Sequence, residues 1–488
     1  MMKTMVLAMS AILRLASISL MLGVILVVAL CIRRLYFHPL SKYPGPFLAR
    51  VTDFYAAYHA WKGDIHVDMW RQHERYGPYV RYAPDKLNIN TAGALKDIYS
   101  GTVNFQKSPN YRVLRHGAAN TLTMINTQEH ARRRRIVSQG LSDAALRSHE
   151  PTLMAHIKKC FALGREHGWT PPCNMSNWFN WLTFDIMGDV VFGIRYDLLG
   201  SPTNRRIPNA IEQSNVRVSV LLQSPFLRQI GRVDRWLFPK AIEARNQFLY
   251  FVGGLVKRVM KAEFDVKEIL AESTTLSVAG ADTSSTALAA VFFYLASTPH
   301  AYKRLRDDVR SAFATADEIQ TGPKLSKLTY LRACIDEALR MSPPAGSSLY
   351  REVQAGGATV DGQTLPAGMQ AGVPIYAIHH NPRYFPAPFE YRPERWLPGE
   401  AGAMGISPEV ARTAFCPFSV GTRSCVGRGM ALIELNLTIA YAMFTLDFFI
   451  ADENKTLKGW GLPGEFPLAD HITGSKDGPF LHFKPRDA

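Results

Sequence analysis

The chain has 488 residues, enough for two or three average domains, but no Gly/Ser-rich linker, repeat or low-complexity tract divides it. We therefore expect one large domain behind an N-terminal anchor. Its net charge of +15 suits an acidic protein partner or an anionic membrane, whereas the lack of an arginine- and lysine-rich arm argues against nucleic acid. The six cysteines have no pairing spacing and indicate free thiols in a reducing compartment.

The N-terminus carries an uncharged apolar run, residues 15–32, that is long enough to cross a bilayer. Arg33 and Arg34 follow it, and this stronger positive flank predicts that the body of the protein lies in the cytosol. A cleaved signal peptide is the alternative, but the run is longer than a usual signal core and no clear Ala-x-Ala site follows. We expect a single-pass anchor over residues 1–34 and a stiff, proline-rich hinge over residues 35–47.

Residues 48–488 predict one mainly α domain with small β-sheets. Helical spacing alternates with short β-like pieces up to about residue 97, and residues 105–125 are polar and irregular, which predicts a long loop. Further helices are predicted over residues 178–193, 209–222, 241–260 and 269–295, β-like alternation over residues 356–368, and a hairpin tip over residues 471–474.

Four consecutive arginines, residues 132–135, lie inside a predicted helix. His130 and Arg134 stand one helical turn apart and therefore share a face. A solvated basic face is the alternative explanation for any one of these arginines.

Residues 279–284 form the first pattern that suits chemistry. Gly280 costs about 1 kcal/mol relative to alanine inside a helix, so we expect it to clear space beside the helix together with Ala279. Thr283, one turn after Ala279, would present its hydroxyl there. Asp282 could accept protons from bulk water, and the pair could relay them to a reacting group. Close helix packing through small residues is the alternative.

A second pattern is the three-residue spacing of Glu337 and Arg340, which predicts an ion pair on one helix face. Arg395 offers another guanidinium downstream.

The most informative stretch is residues 418–427, which place Cys425 just before an apolar helical run. A helix N-terminus and a bound metal both lower the pKa of a thiol. Gly421 can take a backbone angle closed to other residues, and Gly427 leaves room for a flat group. Zinc does not fit, because the nearest thiol, Cys416, stands nine residues back. An ordinary buried cysteine is the remaining alternative.

Five residues of this stretch, Phe418, Gly421, Arg423, Cys425 and Gly427, fall in the order Phe-x-x-Gly-x-Arg-x-Cys-x-Gly. This order resembles the haem-binding signature of the cytochrome P-450 superfamily, and the hinge is similar to that of its membrane-bound fungal members. The resemblance runs from the hinge to the last strands. It implies an α-rich haem-thiolate fold and haem b ligated by the thiolate of Cys425, with Phe418 shielding the sulfur and Arg423 reaching a propionate.

The resemblance also assigns roles to the other patterns. It implies propionate contacts for His130, Arg134 and Arg351, and leaves the other arginines of residues 132–135 as docking charge for an acidic reductase. Asp282 and Thr283 match the oxygen-activation motif. A buried structural network beneath the haem is implied for the set Glu337, Arg340 and Arg395.

The implied function is a monooxygenase that inserts one oxygen atom from O2 into a hydrophobic small molecule, as a tailoring step of fungal secondary metabolite biosynthesis. Electrons would come from NADPH through a cytochrome reductase at the endoplasmic reticulum membrane. An isomerase or dehydratase working without reductase, or a non-catalytic haem-binding protein, are the alternatives. One departure is segment 258–267, which is shorter than its family counterpart through either a true shortening or a mispredicted gene boundary.

Overall fold

The computed structural model describes residues 2–486 apart from 102–103, 116, 167–171, 231–232, 260–265, 403–404 and 406. Helices account for most of these residues. They are α1 (Met2–Tyr36), α2 (Phe47–Val51), α3 (Phe54–Lys62), α4 (Ile65–Tyr76), α5 (Ala92–Tyr99), α6 (Thr127–Gly140), α7 (Asp143–Glu166), α8 (Met175–Phe192), α9 (Arg206–Gln223), α10 (Phe226–Gln229), α11 (Val233–Leu237), α12 (Pro239–Val259), α13 (Val266–Ser297), α14 (Pro299–Ala312), α15 (Pro323–Ser326), α16 (Thr329–Met341), α17 (Ile375–His379), α18 (Pro398–Ala401), α19 (Pro408–Ala414) and α20 (Arg428–Thr445).

The strands are short, and together with the helices they confirm the predicted mainly α fold with small sheets. They are β1 (Tyr79–Ala83), β2 (Lys86–Ile89), β3 (Phe105–Lys107), β4 (Cys173–Asn174), β5 (Arg351–Val353), β6 (Ala358–Val360), β7 (Gln363–Leu365), β8 (Gln370–Gly372), β9 (Leu446–Ile450), β10 (Ala469–His471), β11 (Thr473–Ser475) and β12 (Phe480–Pro485).

Two helices of the described residues are long and apolar enough to span a membrane. Within Met9–Tyr36 of α1, an 18-residue stretch has a mean hydropathy of 2.8, and none of that stretch is buried. Within Lys267–Ser297 of α13, the corresponding stretch has a mean hydropathy of 1.3, but 72% of it is buried inside the protein. A helix that is apolar all round is explained by core packing when it is buried, so α1 alone is compatible with a membrane anchor.

The predicted hinge is packed against the domain. α1 continues through Tyr36, two residues into that segment. The guanidinium of Arg81 on β1 donates to the carbonyl of Arg34 at 2.7 Å, and Leu40 is fully buried. The connection is therefore anchored to β1 by contacts as well as stiffened by its prolines.

The long helix α13 is the centre of the main core, where it packs against α8, α16 and α20. A Cβ atom at Gly280 would lie 2.6 Å from the Cε and Sδ atoms of Met187 on α8. The missing side chain thus lets two helices approach closely. The expectation that Gly280 clears space for a ligand is wrong, because Met187 fills that space.

A five-stranded sheet in the order β1-β2-β8-β5-β3 forms the second packing layer. The predicted loop over residues 105–125 is wrong at its start, because Phe105–Lys107 forms β3 and pairs antiparallel with β5. The register places Lys107 opposite Arg351. A three-residue strand carries too little periodicity to be recognised without its distant partner.

The predicted hairpin tip is confirmed. β10 and β11 pair antiparallel, and the turn between them places Ile472 at a φ of 82°. The hairpin lies beside α9 and α13. Segment 258–267 falls largely outside the described residues, with α12 ending at Val259 and α13 beginning at Val266.

Candidate active site

The loop before α20 is folded back on itself. The amide of Cys425 donates to the carbonyl of Phe418 at 2.8 Å. Gly421 has a φ of 75°, and a Cβ atom there would lie 1.9 Å from the carbonyl oxygen of Tyr99. Gly421 therefore allows the loop to close on the end of α5, a structural reason that involves no ligand.

The thiol of Cys425 lies at the N-terminus of α20, which begins one residue after Gly427. The side chain is exposed on one side. Burial by the surrounding protein raises the pKa of the Cys425 thiol above its ordinary value, and the backbone N–H groups of Gly427 and Arg428 and the positive charge of Arg134 offset only part of this rise. A metal ion at the sulfur adds the remaining pull toward the thiolate.

The space beside this thiol is open. The one atom of the described residues within 4 Å of a Cβ placed on Gly427 is the Cys425 sulfur, at 3.9 Å. Phe418 is half-buried and packs against the main core. A flat group that approaches the sulfur therefore meets a glycine instead of a side chain.

Five basic side chains form a cluster that we call the cationic cluster: Lys107, His130, Arg134, Arg351 and Arg423. Lys107, His130 and Arg351 are each 6% exposed, and the other two are half-buried. Burial and then the charge of Arg423 lower the pKa of His130 to about 4. Burial, Arg351 and Arg423 together hold the pKa of Lys107 well below its usual range, and burial and Arg351 lower that of Arg423 to about 10.

The lysine and the three arginines donate mainly to backbone carbonyl oxygens, and the hydroxyls of Ser424 and Tyr111 are further partners. Arg134 donates to Ser424 at 2.6 Å and Arg423 to Met124 at 2.6 Å. Lys107 and Arg351 also donate to backbone carbonyls. Among the described residues no carboxylate forms an ion pair with Lys107, Arg134, Arg351 or Arg423.

Burying positive charge without a compensating anion costs free energy, so we expect the cluster to bind an anionic ligand. Two carboxylates on one flat molecule would compensate it, and an iron at the centre of that molecule would take the thiolate. Haem has this donor and charge pattern. The residues present therefore fit haem, by their charge and by the glycine beside the sulfur.

The other predicted chemical element lies on α13. Ala279 is exposed and Thr283 is half-buried, whereas residues 284–290 are all buried, so the helix has one accessible strip in its core stretch. The Thr283 hydroxyl donates to the Ala279 carbonyl at 2.6 Å. Asp282 is 3% exposed and accepts a hydrogen bond from the hydroxyl of Thr473 on β11. The expectation that Asp282 meets bulk water is wrong, because the hairpin covers it.

Glu337, Arg340 and Arg395 meet in a fully buried network. Arg340 donates to Glu337 at 2.9 and 3.0 Å, and Arg395 donates to it at 2.9 Å. The indole N–H of Trp396 completes the shell at 2.9 Å. The two guanidinium charges keep the pKa of Glu337 lowered even though burial raises it.

The four arginines of α6 divide between the two sides of the helix. Arg132 and Arg135 are exposed, and the pair of Arg132 with Glu129 at 3.2 Å is a surface ion pair that leaves the guanidinium accessible. Arg134 lies in the cationic cluster, and Arg133 is ion-paired with Glu268 on α13 at 2.5 Å. Arg133 is therefore not available as docking charge, contrary to the expectation for this run.

Sequence patterns did not predict three residues of these sites. Lys107 lies on the unrecognised strand β3, and only its pairing with β5 brings it to Arg351. Trp396 directly follows Arg395, and that adjacency was the one available signal. Lys476 follows the hairpin and lies close to Asp282, which is 194 positions earlier in the chain. No local sequence pattern predicts this contact. No group of three His, Cys, Asp or Glu residues suited to a metal ion occurs among the residues described.

Comparison with known proteins agrees with this site. The family model "Cytochrome P450" matches residues 42–253 and 244–459. The chain is 44% identical to the cytochrome P450 monooxygenase atnE of Emericella nidulans, with 97% of each chain covered. It is 45% identical to the cytochrome P450 monooxygenase poxM of Penicillium oxalicum, over 97% of this chain and 96% of the relative. It is 43% identical to the cytochrome P450 monooxygenase AKT7 of Alternaria alternata, over 93% of this chain and 95% of the relative.

A mainly α domain with an exposed thiol at a helix N-terminus and a buried cationic cluster defines a haem-thiolate protein. The chain belongs to the cytochrome P450 family. It is a P450 monooxygenase, an oxidoreductase that incorporates oxygen from O2 with electrons from a redox partner and acts on a hydrophobic substrate.

Proposed function

We propose that this enzyme is a membrane-anchored monooxygenase that oxidises a hydrophobic small molecule in a tailoring step of fungal secondary metabolism. The observation that carries the proposal is the exposed Cys425 thiol together with the buried cationic cluster, a combination that suits haem. The relatives named above, all cytochrome P450 monooxygenases, support the reaction class.

Cys425 holds the iron as thiolate. The N–H groups of Gly427 and Arg428 point at its sulfur and stabilise negative charge there. When bound, haem supplies the activation of O2 and the oxidation of a substrate C–H bond, and thiolate ligation favours O–O cleavage.

The cationic cluster holds the two propionates. Lys107, Arg351 and Arg423 come from three separate segments, and each has N–H groups beyond those that donate to backbone carbonyls, so they would offer charge-assisted hydrogen bonds to the two carboxylates. His130 and Arg134 close the cluster from α6. Gly421 and Phe418 shape the loop that carries Cys425 and are positioning residues.

Thr283 and Asp282 deliver protons to the reacting group. The Thr283 hydroxyl lies on the accessible strip of α13 and hands a proton toward the reacting oxygen. Asp282 holds the charge next to it, behind the hairpin β10–β11, so that protons enter through the hairpin's polar groups. The network around Glu337, with Arg340 and Arg395, acts structurally and fixes the end of α16 against the segment that precedes α18.

We infer the location from α1. Its apolar run ends at Arg33 and Arg34 in the last turn of the helix, which supports a cytosolic domain, and we assign the endoplasmic reticulum membrane. There an NADPH-dependent cytochrome reductase is the electron donor. The exposed Arg132 and Arg135 are candidate contacts for its acidic surface.

Two experiments test the proposal. A comparison of metabolites from producing cells with and without the gene should show an accumulated precursor that lacks one oxygen atom relative to the lost product. The purified enzyme should then convert that precursor only with reductase, NADPH and O2. Conversion without reductase would replace the proposal with an isomerase or dehydratase. Slow NADPH consumption with no product from any accumulated compound would leave a haem-binding protein.

A further inference from the structure

The polar groups behind Asp282 form a buried charge cluster on the side of α13 that faces the hairpin. The side chain of Asp282 is 4% exposed and that of Lys476, just after β11, is 0% exposed. The Lys476 Nζ lies 3.9 Å from Asp282 Oδ1. The other carboxylate oxygen accepts the Thr473 hydroxyl. A lysine this deeply buried must be compensated, and Asp282 is the carboxylate with which it forms an ion pair.

Lys476 is also fixed by neutral groups. It donates to the side-chain oxygen of Asn180 on α8 at 2.9 Å. The hydroxyl of Ser285 donates to the same oxygen at 2.7 Å. Asn180 therefore holds the ammonium group between α8 and α13, within reach of Asp282.

A second carboxylate completes the cluster. Glu212 on α9 accepts a hydrogen bond from the Ser475 hydroxyl at 2.8 Å. Burial and the charge of Asp282 raise the pKa of Glu212, while the charge of Lys476 lowers it. The titratable groups that face each other here are thus Asp282, Glu212 and Lys476, from α13, α9 and the segment after β11. One ammonium group balances one of the two carboxylates.

We propose that Lys476 is a positioning residue for oxygen activation: it pairs with Asp282 and holds that carboxylate in place beside Thr283. This inference rests on the proposed role of Asp282 and Thr283 and assigns the group through which that role is maintained. Since Ser475 and Thr473 lie in the same short segment, the hairpin brings three partners to α13 and α9 at once.

The pairing is tested on haem-loaded protein without any ligand. The variants are Lys476→Met, Asp282→Asn and the double variant, with Lys484→Met on the exposed end of β12 as the matched control. Each single change removes one member of the Asp282–Lys476 pair, leaves the other unpaired and should lower the melting temperature by several degrees, whereas the double change removes both members and should recover most of that loss. Losses that simply add, or a double variant that fails to fold although the singles do, would overturn the pairing. If Lys476→Met does not fold, recovery of folding in the double variant supports the pairing, and failure of both overturns it.

The catalytic part is tested with reductase, NADPH and O2 and no added substrate. Reduction of O2 to hydrogen peroxide consumes one NADPH per O2, and reduction to water consumes two, because O–O cleavage needs two further electrons and protons. Lys476→Met should shift the yield toward one peroxide per NADPH, Lys476→Arg should restore the wild-type yield, and Lys484→Met should not change it.

The double variant should give the same peroxide yield as Asp282→Asn alone, because Lys476 acts through Asp282. An unchanged yield in Lys476→Met would make Lys476 a merely structural group, and a double variant worse than either single would show that it acts independently of Asp282. If wild-type protein with reductase consumed no O2, the proposed function would fail, while the melting-temperature comparison would still decide the pairing.

Discussion

Lys107 and Arg351 lie directly opposite each other across β3 and β5, and both are buried. Like charges at this position of an antiparallel pair destabilise a sheet. The pairing of two basic residues therefore destabilises the sheet, and a bound anionic cofactor compensates this repulsion.

The first prediction concerns this pair. Lys107→Met removes a charge-assisted contact worth about 1.5–3 kcal/mol, so haem should leave the protein roughly tenfold to hundredfold faster. The measurement is the rate of haem transfer to excess apomyoglobin. Lys96→Met, the same change at an exposed lysine of α5, is the control. Equal rates for both variants would remove Lys107 from the cofactor site.

The second prediction concerns the network around Glu337. Arg395→Ala leaves Glu337 with one cation fewer in a fully buried site, at a cost of roughly 3–5 kcal/mol, and should yield little haem-loaded protein. Arg392→Ala removes a neighbouring, partly exposed guanidinium whose surface pair is worth at most about 1 kcal/mol. Haem content and melting temperature distinguish the two. Normal values in Arg395→Ala would make that arginine superficial.

The third prediction separates anchoring from folding. Chains that start at Arg33 and at His38 both lack the membrane segment and should leave the membrane in a carbonate wash. Only the shorter chain loses the Arg34 carbonyl that accepts from Arg81, so only it should melt several degrees lower. Firm membrane attachment of both chains would show that α1 is not the main contact. Equal melting temperatures would show that the end of α1 contributes nothing to the domain.

The fourth prediction concerns Thr283. Thr283→Ala should bind haem and substrate normally, because a methyl group fits and no charge is stranded. Product per NADPH should fall by about a hundredfold, the typical effect of removing a positioned acid–base group, and hydrogen peroxide should rise. Thr445→Ala on α20 removes a hydroxyl that donates to its own helix in the same way and should change nothing. Equal coupling in the two variants would leave Thr283 as a packing residue.

Long periodic elements were predictable from the sequence. The predicted helix 269–295 differs from α13 by three residues at its start and two at its end, because its pattern is strong and its length exceeds any loop. The spacing of Glu337 and Arg340 likewise placed both on one face of α16, since a helix fixes that geometry locally.

What the sequence did not reveal depends on distant partners. Lys107 enters the cationic cluster through a strand whose pairing places it opposite Arg351, 244 positions away in the sequence. The carboxylate of Asp282 contacts the hairpin β10–β11, and Met187 packs against Gly280. Helix periodicity specifies neither contact. Periodicity tells which residues share a face, but the neighbour that covers the face is set by tertiary packing.

The role of Cys425 is the central claim, and Cys416 offers a matched comparison. Cys416 is 2% exposed, and burial, with no opposing group, raises its pKa to about 12. Burial also raises the pKa of Cys425, but there the N–H groups of Gly427 and Arg428 and the charge of Arg134 offset part of the rise. Cys425 is exposed beside a glycine and at a helix N-terminus.

The most direct measurement is the absorption spectrum of the ferrous carbon-monoxide complex of wild-type protein, Cys425→Ala and Cys416→Ala. Wild type and Cys416→Ala should show the strongly red-shifted Soret band of thiolate ligation, and Cys425→Ala should lack it. Retention of that band in Cys425→Ala would contradict the account.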